Sequence, residues 1–306
     1  MKNPIHSAQF LAILSLAFAA PLAASEAPVL KAVPIRAQLY HITGAMANSV
    51  MLTGRDGTLL VDSGDSVAVG QSIQKAIAET GAKPVDYLIN THRHFDHVNG
   101  NAVFGGSGAA IVAHESVRRS LETAPTRSGA PLLPREALPT ICFSQDLTLF
   151  FDDEIVCLFH PLGDTPGHTS GDIVAYFRNS DVLAVGDLMF SGMYPYIDTQ
   201  EGGVDGMVTA LRKIRGIIRE KTVVVPGHGP LTDRRGMGEY ADMLESVADS
   251  VRALAAAGKS LDEIKAAHPT AQWDATYNKG SVSPDMFVEM VYKTLRATGS
   301  GPASGR

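Results

Sequence analysis

His92-Arg93-His94-Phe95-Asp96-His97 sets three imidazoles and a carboxylate within six residues, directly after the apolar run 85–89. Imidazole nitrogen and carboxylate oxygen are the ligands that borderline cations such as zinc take where no thiolate is offered. The run before the cluster reads as a short buried strand ending at Asn90-Thr91, so the ligands sit where a strand opens into a loop. In extended or loop backbone, residues two apart project to the same side, and His92 and His94 can hold one cation between them. Asp96 and His97 are adjacent, diverge from that pair and can serve a second cation. A chain with this cluster needs a fold that brings further ligands to it.

Such ligands occur at other strand boundaries. Pro166-Gly167-His168-Thr169-Ser170-Gly171-Asp172 places one His in a Gly-rich turn just before the strand-like run 173–177. The apolar run 182–185 stops at Gly186-Asp187, which delivers a carboxylate at a strand end. The β-branched run 222–225 ends in Pro226-Gly227-His228-Gly229-Pro230. Any one of these alone is an ordinary turn residue. Together with the first cluster they make five His and two Asp.

The order and spacing of these motifs resemble the metallo-β-lactamase-fold hydrolase superfamily over residues 35–231. The resemblance implies an α/β fold, an αββα sandwich with metal at one edge. It implies that His92, His94 and His168 hold one zinc ion, that Asp96, His97 and His228 hold another, and that Asp187 bridges them, giving two Zn2+ per chain. Asp62, in Leu59-Leu60-Val61-Asp62-Ser63-Gly64, matches a family carboxylate that hydrogen-bonds a ligand His and fixes its tautomer. The departures from subfamily patterns are also informative. Class B1 and B2 β-lactamases carry Cys where Asp187 stands, and class B3 enzymes lack a bridging carboxylate there. A carboxylate bridge is the pattern of thioesterases, lactonases and phosphodiesterases of the family. The flavodiiron branch carries Glu in place of His94, which counts against a di-iron reductase.

The function expected from this resemblance is hydrolysis. Two divalent cations about 3.5–4 Å apart bring the pKa of a bridging water near neutrality, and the resulting hydroxide can attack a carbonyl. The expected substrate is a small cyclic or activated acyl compound: a lactone, ester or β-lactam. Asp96 would orient the hydroxide and carry a proton to the leaving group. Tyr194 or Tyr196, in the aromatic-rich loop 190–198, would reach the substrate oxygen, with Tyr194 taken as the catalytic one. A thioesterase of the hydroxyacylglutathione type and a non-hydrolytic, iron-binding redox protein are the competing functions. His114 and His160 read as structural.

Composition narrows the setting. Lys2 and His6 precede the apolar run 10–20, and small residues cluster at Ala23-Ala24-Ser25, so residues 1–25 read as a signal peptide. The run is too short to favour a spanning helix. A periplasmic or secreted protein is expected, with no stable membrane insertion after cleavage. An oxidising compartment permits a bridge between Cys142 and Cys157, and the sequence leaves their redox state open. A net charge of −6 and the lack of a basic block argue against nucleic acid as a partner.

The remaining pattern is α/β. Strand-like segments at 38–42, 48–53 and 58–61 lead into a helix over 67–80, and 204–220 repeats the helical period. Residues 123–139, rich in Pro and Ala, read as a long loop or lid near the site. The hydrolase domain spans 26–235, a helical extension of the same domain covers 236–297, and 298–306 reads as a disordered tail. Within the extension, Met237, Tyr240, Met243, Leu244, Val247, Val251 and Leu254 form one helical stripe. Ser260-Leu261-Asp262-Glu263 is a capping box, and Ser283-Pro284 opens a last helix.

Overall fold

Leu59 and Val61 face one side of their strand and Leu60 the other, and all three are fully buried. A strand with two apolar faces requires a covering layer on each. The computed structural model, which describes residues 28–123, 133–163 and 165–297, shows those layers. The expected leader 1–25, the tail 298–306 and residues 124–132 of the lid segment lie outside the described residues.

The first sheet has seven strands: β1 (Lys31–Arg36), β2 (Leu39–Thr43), β3 (Ser49–Thr53), β4 (Thr58–Val61), β5 (Val85–Ile89), β6 (Ala110–His114) and β7 (Ile141–Phe143). Their spatial order is their chain order. Pairing is antiparallel from β1 to β4 and parallel from β4 to β7. Parallel neighbours need crossovers. These are α1 (Val67–Glu79), the short pair α2 (Phe95–Val98) and α3 (Asn101–Gly106), and α4 (Glu115–Thr123) with the chain that follows it. The helix α1 starts where the Ser66 side chain accepts the Val69 N–H, and it stops before Gly81, whose φ of 79° ends the helical path.

The second sheet has six strands: β8 (Asp146–Phe151), β9 (Glu154–Phe159), β10 (Val174–Phe177), β11 (Val182–Ala184), β12 (Val223–Val225) and β13 (Thr232–Asp233). Its one parallel pair, β11 with β12, is connected through α5 (Val204–Ile217). The helix expected over 204–220 ends at Ile217, because Ile218 turns extended at φ −78° and ψ 157° and buries its side chain. The chain finishes in α6 (Arg234–Ala256), α7 (Leu261–Ala266), α8 (Asp274–Tyr277) and α9 (Pro284–Ala297). The capping box opens α7, with Ser260 and Glu263 each bonding the other's backbone N–H.

Three apolar layers result. Between the sheets, Val50, Leu59, Val61 and Ile89 meet Leu158, Phe177, Val182 and Val225. Outside the first sheet, Leu60, Leu88 and Ile111 pack with Ile73 and Ile77 of α1 and Phe104 of α3. Outside the second, Val174, Leu183 and Val224 pack with Leu211 of α5, Met243 and Leu244 of α6 and Phe287 of α9. The architecture is an αββα sandwich. Its C-terminal helices cover the second sheet, which is where the stripe on α6 is spent. Cys142 on β7 and Cys157 on β9 are both free thiols. Among the described residues no helix is long and apolar enough to cross a membrane.

Candidate metal centre

The C-terminal ends of β4, β5, β11 and β12 lie along one edge of the sandwich, and the chain turns there into the segments that carry Asp62, residues 92–97, Asp187 and His228. His168 arrives from the other direction, ahead of β10, which runs antiparallel to β11 and so starts at the same edge. Two groups of potential ligands meet there: His92, His94, His168 and Asp187, and Asp96, His97, Asp187 and His228. Within each group the donor atoms all lie within 4.8 Å of one another.

Local backbone explains how four neighbouring residues serve two groups. His92 and His94 are extended or loop residues, as expected. Asp96 and His97 lie in α2, with His94 as its N-cap. Helical rotation at the third and fourth ligands is what turns them away from the first two. Asp187 sits in a single 3-10 turn over Gly186–Leu188 after β11. Gly186 takes φ 54° there, and a Cβ on it would come 2.7 Å from the Thr91 side chain. Gly227 is similarly constrained: a Cβ would lie 1.9 Å from Asp187 Oδ1. Two glycines therefore let the strand ends bearing Asp187 and His228 approach.

Ring orientations are fixed by partners on the far side of each imidazole. His97 Nδ1 lies 2.7 Å from Asp62 Oδ2, which leaves Nε2 facing the cluster. The same Asp62 carboxylate accepts the Thr91 N–H and the Thr91 hydroxyl, each at 2.8 Å, and Asp62 holds φ 61° to do so. His92 Nδ1 lies 3.1 Å from Thr91 Oγ1, and His228 Nδ1 lies 3.0 Å from the Met46 carbonyl. Asp172 accepts the N–H and the hydroxyl of Thr169 and so braces the turn that bears His168.

The donor set fits a pair of cations. His92 Nε2 is buried and has no hydrogen-bond partner, its neighbour Asp187 Oδ2 lying 3.7 Å away. Burying such an atom unsatisfied costs about 1–3 kcal/mol, a cost that coordination removes. The charges agree. Burial pushes His92 well below its ordinary range and takes His168 down to about 3, so both rings present free lone pairs. Burial also opposes charge on His97 and His228, but carboxylates outweigh it: Asp187 and Asp62 raise His97 well above the usual imidazole range, and Asp187 and Asp96 raise His228 to about 10. Asp187, despite burial, is held well below the usual carboxylate range by His228, His97, His92 and His168.

A cleft of about 630 Å3 opens over the cluster, and His94, Asp96, Asp187 and His228 contribute to its lining. Tyr194, expected to reach the substrate oxygen, lines the cleft but has its hydroxyl engaged elsewhere. That hydroxyl donates to Asp274 Oδ1 at 2.7 Å, and the buried ring stacks on Phe287, so Tyr194 ties the loop to α8 and α9. Tyr196 is the tyrosine beside the site, with its ring centroid 6.2 Å from that of His94. His114 and His160 stack on each other at 4.4 Å, and neither belongs to the two ligand groups.

Sequence reading missed two supporting residues. Asp198 Oδ2 lies 3.3 Å from His94 Nε2, and Asp198 also receives the Arg93 guanidinium. Asn48 donates from its side chain to the Pro226 and Gly229 carbonyls, each at 2.9 Å, and so pins the turn that carries His228. Asn48 and the two carbonyls are about 180 residues apart in the chain, and no local signal links them.

The family model described as "Metallo-beta-lactamase superfamily" matches residues 42–228. The chain is 28% identical over 190 residues to the "Probable metallo-hydrolase YqgX" of Bacillus subtilis, covering 61% of this chain and 87% of that protein. It is also 28% identical over 184 residues to the hydroxyacylglutathione hydrolase of Pelagibacter ubique, covering 56% of this chain and 64% of that enzyme. Among solved structures, the metallo-beta-lactamase from Pontibacter korlensis superposes with a TM-score of 0.61 at 19% identity, covering 71% of this chain and 99% of that one, a likeness of fold alone.

Proposed function

The chain belongs to the metallo-beta-lactamase superfamily, and on that premise we propose that it is a dinuclear zinc hydrolase acting on a small cyclic or activated acyl substrate: a lactone, ester or β-lactam. The observation that supports this is the place of Asp187. Its Oδ1 lies 3.1 Å from His97 Nε2 and 3.3 Å from His228 Nε2, while its Oδ2 lies 3.3 Å from His168 Nε2 and 3.7 Å from His92 Nε2. One carboxylate thus presents an oxygen to each ligand group. Two divalent cations held there supply Lewis acidity and a water that ionises near neutral pH.

The protein's own part is to place donors and move protons. His92, His94 and His168 would hold the first ion, Asp96, His97 and His228 the second, with Asp187 shared between them. Both Asp187 oxygens are committed to that sharing. Asp96, whose Oδ2 lies 3.2 Å from His228 Nε2 on the cleft wall, would give one oxygen to the second ion and use the other to take a proton from the attacking water and pass it to the leaving group. The short leader read in residues 1–25 supports action in the periplasm or outside the cell.

A thioesterase of the hydroxyacylglutathione type is the second reading, supported by relatives that carry that name. A panel of lactones, simple esters, a glutathione thioester and nitrocefin, run on zinc-loaded protein with and without EDTA, separates the readings. Hydrolysis that survives full removal of metal would overturn both.

A further inference from the structure

From the lining of the cleft we infer that the acyl group recognised here is apolar: the substrate is an ester, thioester or lactone bearing an alkyl or aryl chain. The inference rests on the hydrolase reading above and names the substrate class of that site. Three observations carry it.

The first is the chemistry of the wall. Away from the ligands, much of the cleft wall is apolar, with Met46, Phe95, Leu121, Leu133, Met193 and Met286 standing among polar residues such as Asn99 and Gln200. These come from the β2–β3 turn, α2, α4, the described segment ahead of β7, the 190–198 loop, and α9, so six separate parts of the chain present apolar side chains to one space.

The second is exposure at the rim. Met46, Phe95 and Met286 are 59%, 42% and 49% exposed, although each adjoins a cleft whose floor is polar and ligand-bearing. Large apolar side chains grouped around a concave opening are removed from water when an apolar ligand enters.

The third is the state of Arg93. Among the described lining residues Arg93 is the sole Lys or Arg, and its guanidinium donates to both Asp198 and Glu201. A carboxylate on the substrate would have to compete with two carboxylates already in place. Recognition of a glutathionyl group, or of the carboxylate common to β-lactams, normally draws on a free guanidinium or ammonium, and these lining residues offer none. A volume of about 630 Å3 is that of a pocket for a medium-sized ligand, enough for an acyl chain beside the reacting carbonyl.

The test uses the full zinc-loaded chain and two readouts. In the first, kcat/KM is measured on p-nitrophenyl esters from acetate to decanoate. It should rise about two- to fourfold per added methylene until the cleft is filled, the increment expected for partial to full burial of each group. In the second, which needs no turnover, the neutral fluorophore N-phenyl-1-naphthylamine is displaced by n-alcohols of increasing length, and the inhibition constant should fall by a similar factor per methylene. Met286→Glu and Phe95→Glu, both on the exposed rim, should flatten both series. A rate that is flat or falls with chain length, with alcohols that compete equally at all lengths, overturns the apolar-acyl inference while leaving the hydrolase reading intact. Length-dependent alcohol binding without hydrolysis of any ester, lactone or thioester supports the apolar pocket and sinks the hydrolase reading.

Discussion

Nε2 of His94 lies 3.3 Å from Oδ2 of Asp198, while Nδ1 of the same ring faces His168 Nε2 at 2.8 Å. The imidazole is thus held from behind by a carboxylate with its other nitrogen presented to the ligand group. Such a partner fixes the ring's orientation and makes the facing nitrogen a better donor. Burial works against charge on Asp198, but His94, the Gln200 N–H and Arg93 keep it below the usual carboxylate range.

Asp198→Ala should weaken binding of the first metal ion about 10- to 100-fold, the usual effect of removing a partner behind a ligand His. Competition against a fluorescent zinc chelator reads the affinity, and circular dichroism checks the fold. Unchanged affinity with lowered activity would instead place Asp198 on the substrate side of the cleft.

Asp62 is bound into the fold more deeply, because its carboxylate serves Thr91 twice and His97 once. Asp62→Ala leaves the buried Thr91 N–H without a partner and puts alanine at φ 61°, so urea unfolding should show a loss of about 2–4 kcal/mol along with weaker metal binding. Asp62→Asn keeps an acceptor and tolerates the left-handed backbone, and should cost less. Equal losses from the two variants would contradict this account.

Asp187→Asn removes the charge shared by the two ligand groups. Metal analysis should then fall from about two zinc ions per chain toward one, and hydrolysis should fall at least a hundredfold, since both cations act on one reacting centre. Two ions still bound at unchanged affinity would show that the carboxylate does not bridge. Iron in place of zinc, with visible absorbance, would favour redox chemistry.

Metal and proton compete for the same lone pairs. In the metal-free fold His228 titrates near 10 and His97 well above the ordinary range, so both carry a proton at pH 7. Zinc must displace those protons, and apparent affinity should therefore rise with pH between 6 and 9, not fall. Calorimetric titration in buffers of differing ionisation enthalpy reads the released protons directly. A pH-independent affinity with no proton release would contradict the charge assignment.

Tyr194→Phe separates support from chemistry. The change removes one hydrogen bond to the part-buried Asp274 carboxylate and should lower stability by about 0.5–1.5 kcal/mol. The value of kcat on a short ester should stay within about threefold of wild type, because removing a single hydrogen bond outside the reacting centre leaves transition-state contacts unchanged. A drop of a hundredfold or more would restore Tyr194 to the catalytic role first read from the loop.

Much of the candidate site is legible in the sequence, and the reason is local. His92, His168, Asp187 and His228 each follow or precede an apolar run, and a polar residue where burial stops is placed at a strand end by the alternation of strand side chains. The helix α1, the capping box of α7 and the stripe on α6 were legible for the same reason, since caps and periodicity act within a few turns of chain. The end of α5 was not, because Ile218 leaves the helix to bury against residues far away in sequence.

The amino-acid sequence by itself determined which side chains can bind metal, which strands they terminate and that both faces of those strands must be covered. Only the tertiary structure decided that Asp187 reaches both groups, that Asp198 and Asn48 support His94 and the His228 turn, and that Tyr194 turns to Asp274 while Arg93 is neutralised. The physical reason is range. Residue type and periodicity set what a short segment prefers, whereas a 3 Å contact between residues a hundred or more positions apart exists only once two sheets have packed and brought their ends together.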